Sequence, residues 1–288
     1  MKIFNFKKYP LSHISYGGSV RKIGILIDNQ PYMLKFQKRT SYGLRFNTIS
    51  EYIGSRVFRL LGMNCQDTIL GTYGDEMVVG CRDFNQDGYQ FVPFNDIGES
   101  TIEDDKEKYQ YSYEDILTLL TINRKLTNVE ETVSSFFNLY LVDALLGNFD
   151  RHGSNWGFLK KDGKYRLAPI FDNDSCLYPN MNDENEMLKV ISSEDEINLR
   201  VYDFPLSQIR LNDSKSSYFE VISSLKFKEM NDALKRIVPR INLEEIDDII
   251  EEIPLISEVH KTFYKTMIKH RYDKILKYSY DKLRSEGK

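Results

Sequence analysis

The chain has 288 residues, 28% of them charged and 41% hydrophobic, so it holds enough material for one large globular domain or two lobes. A formal net charge of −4 argues against a dedicated nucleic-acid binder, because no global positive field would attract phosphates. No run of about 18 apolar residues exists, so no membrane span is expected.

Met1 to Lys8 lacks the apolar core and small-residue cleavage site of a signal peptide, and a cytoplasmic location is the expectation. Cys65, Cys81 and Cys176 are widely spaced without a CxxC pair. Free thiols in a reducing compartment are expected, rather than a disulfide scaffold or a structural zinc site.

Ser15-Tyr16-Gly17-Gly18-Ser19-Val20-Arg21-Lys22 precedes the first strong strand. Its glycines would let backbone N–H groups approach a phosphate chain, with Lys22 adding charge, although Gly-Gly before a strand is also an ordinary turn. Arg21 to Ile27 reads as a strand, Asp28 to Pro31 as a turn, and Tyr32 to Phe36 as a second strand. Lys35 lies inside that apolar run, which is costly for an ammonium unless it is paired or at a site. The alternative is a lysine snorkelling from an edge strand. Ile49, Ile53, Val57, Leu60 and Leu61 mark a helix after Asn47 and Thr48, with Gly62 as its stop. Glu51 falls in its first turns, where it could meet Lys35. Thr68 to Tyr73 and Met77 to Cys81 are further strands across a Gly74-Asp75 turn. Strands against one helix are the makeup of a small nucleotide-covering lobe, expected over residues 1–96 with a hinge near residues 81–95.

Ile97 to Lys108 is acidic and polar, a solvated connector into a larger lobe over residues 97–288. Ser112, with Asp115 three residues on, predicts a capping box opening a helix through Ile122. Val129, Val133, Phe136, Phe137, Tyr140, Leu141, Ala144 and Leu145 repeat at helical spacing and predict a buried spine that stops at Gly147. After the polar loop Asn148 to Asn155, Trp156 to Leu159 and Tyr165 to Leu167 form a hairpin that returns through Ala168-Pro169-Ile170-Phe171 to Asp172. The carboxyl third reads as helical, and the basic face of its last helix is most simply a solvated surface.

An Asp followed five places later by Asn, with another Asp after two strand-like runs, suits phosphoryl transfer from a magnesium nucleotide. Asp150 can accept the proton of an attacking hydroxyl, while Asn155 and Asp172 can hold the metal ions that neutralise the phosphates. Asp174 competes as a metal ligand. His152 could instead serve a hydrolase metal site, but His13, His260 and His270 are far off in sequence. An Asx-stabilised connection explains Asn148 or Asp150, but not the whole set with Asp172.

Taken in order, the pieces are the glycine loop, Lys35, Glu51, a connecting strand ending Cys81-Arg82-Asp83-Phe84, Asp150-x-His152-x-x-Asn155, and Ala168-Pro169-Ile170-Phe171-Asp172. With them the chain resembles the HipA-like family of bacterial serine/threonine kinases, in the compact form lacking the amino-terminal subdomain. The resemblance runs from about Ser15 to at least Tyr178. It implies an α+β, two-lobed protein-kinase-like fold, with a strand-rich small lobe and a mainly helical large lobe. It also implies an ATP- and Mg2+-dependent protein serine/threonine kinase. Asp150 would be the catalytic base, Asn155 and Asp172 the metal ligands, and Lys35 a phosphate ligand oriented by Glu51. Gly17, Gly18, Ser19 and Lys22 would line the phosphates, and His152 and Phe171 would lie near the nucleotide. The backbone around Arg82 to Phe84 would be the hinge that hydrogen-bonds adenine.

Family members autophosphorylate a serine in the glycine loop; Ser15 matches that position best, with Ser19 the fallback. A protein substrate is the implied partner. Only about fourteen residues precede the glycine loop, so an antitoxin contact would be absent or supplied by another chain. The catalytic loop is also similar to that of phosphoinositide kinases, which makes a lipid or small-molecule kinase an alternative. A nucleotide-binding pseudokinase module of a toxin–antitoxin system is another, opposed by the complete set of Lys35, Asp150, Asn155 and Asp172.

Overall fold

In this computed structural model the described residues are 1–17, 20–41, 43–96, 111–122, 126, 128–211 and 214–287. The chain opens with β1 (Phe4–Asn5), β2 (Lys22–Ile27), β3 (Gln30–Phe36), β4 (Arg39–Thr40) and β5 (Gly43–Leu44). Helix α1 (Asn47–Leu60), β6 (Thr68–Tyr73), β7 (Glu76–Arg82) and β8 (Gln90–Pro93) follow. Next come β9 (Tyr111–Ser112), α2 (Tyr113–Ile122), α3 (Val129–Leu146), β10 (Gly157–Lys161) and β11 (Lys164–Leu167). The remainder holds α4 (Glu184–Ile191), α5 (Glu194–Asn198), β12 (Leu206–Leu211), β13 (Ser214–Ser217) and α6 (Tyr218–Ser223). It ends with α7 (Lys228–Ile237), α8 (Leu243–Glu251), α9 (Glu258–Arg271) and α10 (Tyr278–Ser285).

The small lobe is a five-stranded sheet in the order β1-β6-β7-β3-β2, antiparallel except for the parallel β1–β6 pair. Asp28 and Asn29 both have positive φ, 48° and 61°, which makes the β2–β3 connection a two-residue hairpin turn. The expected turn through Pro31 is therefore shorter than the sequence suggested, and Pro31 sits in β3 opposite Leu26. Strand alternation sends Leu34 and Phe36 to one face, where they pack with Phe6, Ile25, Ile27 and Val78. Lys35 must then face the other side, where α1 lies. There Ile49, Ile53 and Val57 of α1 join Leu70, Val79 and Cys81 in the main core. Gly62, at φ 78°, ends the helix as expected.

The large lobe is built on α3. Phe137, Leu141, Val142, Ala144, Leu145 and Leu146 are fully buried along it. Asn128 caps its start by accepting from Glu131 N at 3.1 Å, and Gly147 closes its end in the left-handed region. The capping box of α2 forms as expected, with Asp115 N donating to Ser112 Oγ and Ser112 N to Asp115 Oδ2, both at 3.0 Å. β10 pairs with β11 and, on its other edge, with β8. The expectation of a helical carboxyl third is corrected by β12 and β13, an antiparallel pair to which β9 adds in parallel. Ser214-Lys215-Ser216-Ser217 carries no alternation of apolar and polar side chains, so nothing in it announced a strand. The expected connector from Ile97 to Lys108 lies outside the described residues.

All three cysteines are buried and free. No described helix is long and apolar enough to cross a membrane.

The amino-terminal strand depends on a glycine. A Cβ on Gly71 would lie 2.4 Å from Phe4 O and 2.5 Å from the Phe6 ring. Gly71→Val should therefore destabilise the chain by about 1–3 kcal/mol, read as a lower melting temperature; an unchanged melt would show that β1 is not held tightly against β6.

Candidate active site

Lys35 reaches across from β3 to α1 and to the large lobe at once. Its Nζ lies 2.7 Å from Glu51 Oε2 and 2.5 Å from Asp172 Oδ1. Lys35 is 4% exposed and Glu51 0%, so both charges are held out of water. Burial alone would strip the proton from the Lys35 ammonium, but the Asp172 and Glu51 carboxylates hold its pKa well above the ordinary lysine value. Burial also works against an ionised Asp172, yet the Lys35 ammonium outweighs it and keeps that carboxyl below its usual range. Asp172 itself has φ 57°, a left-handed conformation that aspartate tolerates better than most residues.

A second buried hub was not anticipated. Arg151 makes a two-point contact with Asp143 of α3, Nε to Oδ2 at 2.9 Å and Nη2 to Oδ1 at 3.1 Å. Its Nη2 also donates to Asn173 Oδ1 at 2.6 Å, while Nη1 donates to Asn155 O at 3.0 Å and to Phe171 O. One guanidinium thus ties the loop bearing Asp150 and Asn155 to the segment bearing Asp172. Asn173 passes the connection to the small lobe, with its N–H donating to Glu51 Oε1 at 3.1 Å. Helix α1 comes close enough for this only because residue 54 is glycine; a Cβ there would lie 2.7 Å from Asn173 Cβ.

Within the loop, Asn148 accepts from Asp150 N at 3.0 Å and donates to Asp143 Oδ1 at 2.9 Å. Asn155 Nδ2 donates to Asp150 O at 2.8 Å, which leaves its amide oxygen as the group for a cation. The Asp150 side chain is 47% exposed and stands 3.8 Å from His152 Nε2. Burial raises the Asp150 pKa above the usual carboxyl value, with His152 opposing the shift. His152 accepts from Ser154 N at 3.2 Å and lines a small cavity with Tyr140, Trp156 and Tyr218 instead of the cleft described next.

Between the lobes lies a cleft of about 280 Å³. Gly17, Lys22, Lys35, Phe84, Phe171 and Asp172, all expected at the nucleotide, line it together with Tyr16, Met33, Gln66, Asp83, Asn85 and Phe91. Phe171 packs against Phe84 and Phe91 at centroid distances of 5.4 and 5.0 Å, an aromatic wall suited to a planar base. Glu51 lies beneath Lys35 and does not line the cleft. Lys22 Nζ donates to Gly17 O at 2.5 Å, and Tyr16 OH to Asp83 Oδ2 at 2.8 Å. Ser15 is exposed; Gly18 and Ser19 lie outside the described residues.

The hinge expectation is corrected at Arg82. Its N–H donates to Asp67 O at 2.8 Å and its carbonyl accepts from Gln66 Nε2 at 2.9 Å, so neither is left for a base. Its side chain turns to Gln30 at 3.1 Å.

Glu51, Asp172 and Asp174 place one oxygen each within 4.8 Å of one another. Burial and the neighbouring Asp172 charge raise the Asp174 pKa, as two close carboxylates require in the absence of a cation. With the Asn155 amide nearby in the loop, the donors are all oxygen, which fits a hard divalent ion such as magnesium and not zinc.

Residues 14–255 match the HipA-like C-terminal domain family. The chain belongs to that family. A curated serine/threonine-protein kinase, CtkA of Helicobacter pylori, is 37% identical over 267 residues, covering 90% of this chain and 82% of the relative. The crystal structure of CtkA superposes with a TM-score of 0.90 at 34% identity, covering 98% of this chain and 99% of that one. HipA of Shewanella oneidensis, solved with HipB and operator DNA, shares the fold at a TM-score of 0.65 and 18% identity, over 96% of this chain and 67% of that one. The expected two-lobed kinase fold is thus shared with these structures, and the likeness to CtkA supports the expected HipA-like serine/threonine kinase.

Arg151→Lys keeps the charge but loses the planar fork. One ammonium can still face Asp143 but cannot also serve Asn173 and the Asn155 and Phe171 carbonyls, so the change should destabilise the protein by about 1–3 kcal/mol. Chemical denaturation checks this; a loss below the range would mean that a single ammonium suffices as the hub.

Proposed function

We propose that this HipA-like kinase transfers the γ-phosphoryl group of ATP to a serine or threonine hydroxyl of a protein, using Asp150 as the base. The observation that carries this reading is the convergence of Lys35, Glu51 and Asp172 beneath an aromatic-walled cleft. In the reaction the acceptor oxygen forms a bond to the γ-phosphorus, the bond to the β–γ bridging oxygen breaks, and ADP leaves. The acceptor proton goes to Asp150, whose raised pKa suits a base that must take it. Lys35, fixed by Glu51, holds phosphate oxygens, and the glycine loop with Lys22 covers the chain of phosphates. Asn155 and Asp172, with Asp174 as a further donor, hold magnesium, which when bound neutralises phosphate charge.

Phe84, within the expected stretch from Arg82 to Phe84, is proposed as the adenine-binding hinge residue, since the backbone groups of Arg82 already have partners. The lobe boundary falls between Arg82 and Gln90, because β7 ends the small-lobe sheet and β8 already pairs with β10. Ser15 is exposed and is the favoured site of autophosphorylation, with Ser19 second. A cytoplasmic location and an antitoxin or separate amino-terminal-subdomain partner are part of the same proposal, and family membership shows neither.

Asp150→Asn should lower the transfer rate by a factor on the order of 10²–10⁴ with nucleotide binding retained. Asp172→Asn should abolish metal-dependent labelling, and chelation of divalent ions should do the same to the unaltered chain. Radiolabel transfer from ATP to the chain itself and to a generic basic protein reads all three; parent-level labelling by Asp172→Asn would remove that residue from the metal site.

A further inference from the structure

Beside Asp150 stands a pair of phenylalanines whose exposure the fold does not require. Phe149 directly precedes the base, and its ring lies 5.9 Å from that of Phe204, which is 48% exposed. The Phe204 ring in turn lies 6.4 Å from that of Tyr178. This surface is held rigidly against the catalytic loop. Gln208 of β12, the strand that begins just after Phe204, donates to Phe149 O at 2.9 Å. Tyr218 OH donates to the adjoining Asn148 O at 2.7 Å. The segment that carries the half-exposed ring is therefore joined to the loop that carries Asp150.

We propose that Phe204 and Phe149 form a specificity platform that receives a large apolar side chain flanking the acceptor serine or threonine in the protein substrate. The inference rests on the kinase reading above. An acceptor peptide must place its hydroxyl at Asp150, and an extended chain advances only about 3.3 Å per residue. A side chain one to three positions from the acceptor then falls over rings that begin one residue from the base. An apolar partner gains by covering exposed aromatic surface, whereas a charged one would lose hydration there without a countercharge from either ring. Phe204 does not line the cleft beneath the glycine loop, so its effect should fall on acceptor choice.

The test uses the full chain with a library of single-serine peptides, in which each of three positions on either side is varied between Leu or Phe and Ser or Asp. At one or more positions the apolar residue should raise kcat/KM by roughly 10-fold or more, mostly through KM. Phe204→Ser should erase that preference while leaving the KM for ATP unchanged. Phe204→Leu should keep it. A library in which no position selects an apolar residue overturns the platform whether or not the variants fold, and so does a Phe204→Ser chain that retains the preference. Self-labelling without labelling of any peptide also counts against it. If the unaltered chain labels no acceptor, itself included, the kinase reading fails instead.

Discussion

A lysine held between two carboxylates from different lobes is the constraint on which the site depends. At an effective dielectric constant of about 20, each such contact is worth roughly 4 kcal/mol, while desolvation takes several kcal/mol per ion. The two nearly cancel, so the cluster contributes little to net stability. What it contributes is position. Lys35 is placed by strand alternation, Glu51 by the first turns of α1, and Asp172 by a left-handed backbone, and the three meet only when the sheet, the helix and the large lobe are assembled together. A bound nucleotide and metal would redistribute the same charges: phosphate oxygens take the ammonium and the cation takes Asp172.

Arg151 makes the constraint transmissible. Its five donors are shared among Asp143, Asn155 O, Phe171 O and Asn173, which fixes the base-bearing loop and the metal-bearing segment to the buried helix α3. Asn173 then meets Glu51, so the two hubs are joined through a single amide. Both hubs are nearly water-free, where unpaired donors are most costly. A change at Asp143 therefore bears on the placement of both the Asp150 loop and the Asp172 segment.

Residues that violate their local pattern were the legible ones. Lys35 stood out because an ammonium within an apolar strand needs a reason, and Glu51 because it was the nearest acid on the next helix. Asp150, Asn155 and Asp172 were readable from spacing, and α2 and α3 from caps whose chemistry is local. Arg151 was hidden because, apart from Asn155 O, its partners lie well away in sequence, 8 residues before and 20 and 22 after it. Asp143 was lost within an apolar helical repeat, and Asn173 between two acids that drew attention to metal binding. The hinge register could not be read either, since it turns on which backbone groups β7 has already used. The β12–β13 pair was missed because β13 is wholly polar, and of β12 only Ile209 is buried in the main core among apolar residues.

The connections between lobes also decide which part can move. Gln66 N donates to Ile170 O at 2.8 Å, Ile170 N to Asn64 O at 2.9 Å, and Phe46 N to Pro179 O at 2.8 Å, while the Phe46 ring lies 4.1 Å from that of His260. Each backbone bond is worth roughly 0.5–1.5 kcal/mol net, and a rigid opening of the lobes would break them together with the Glu51–Asn173 contact. The charge cluster and these backbone joints therefore hold one and the same arrangement of the lobes, and neither can be given up without the other.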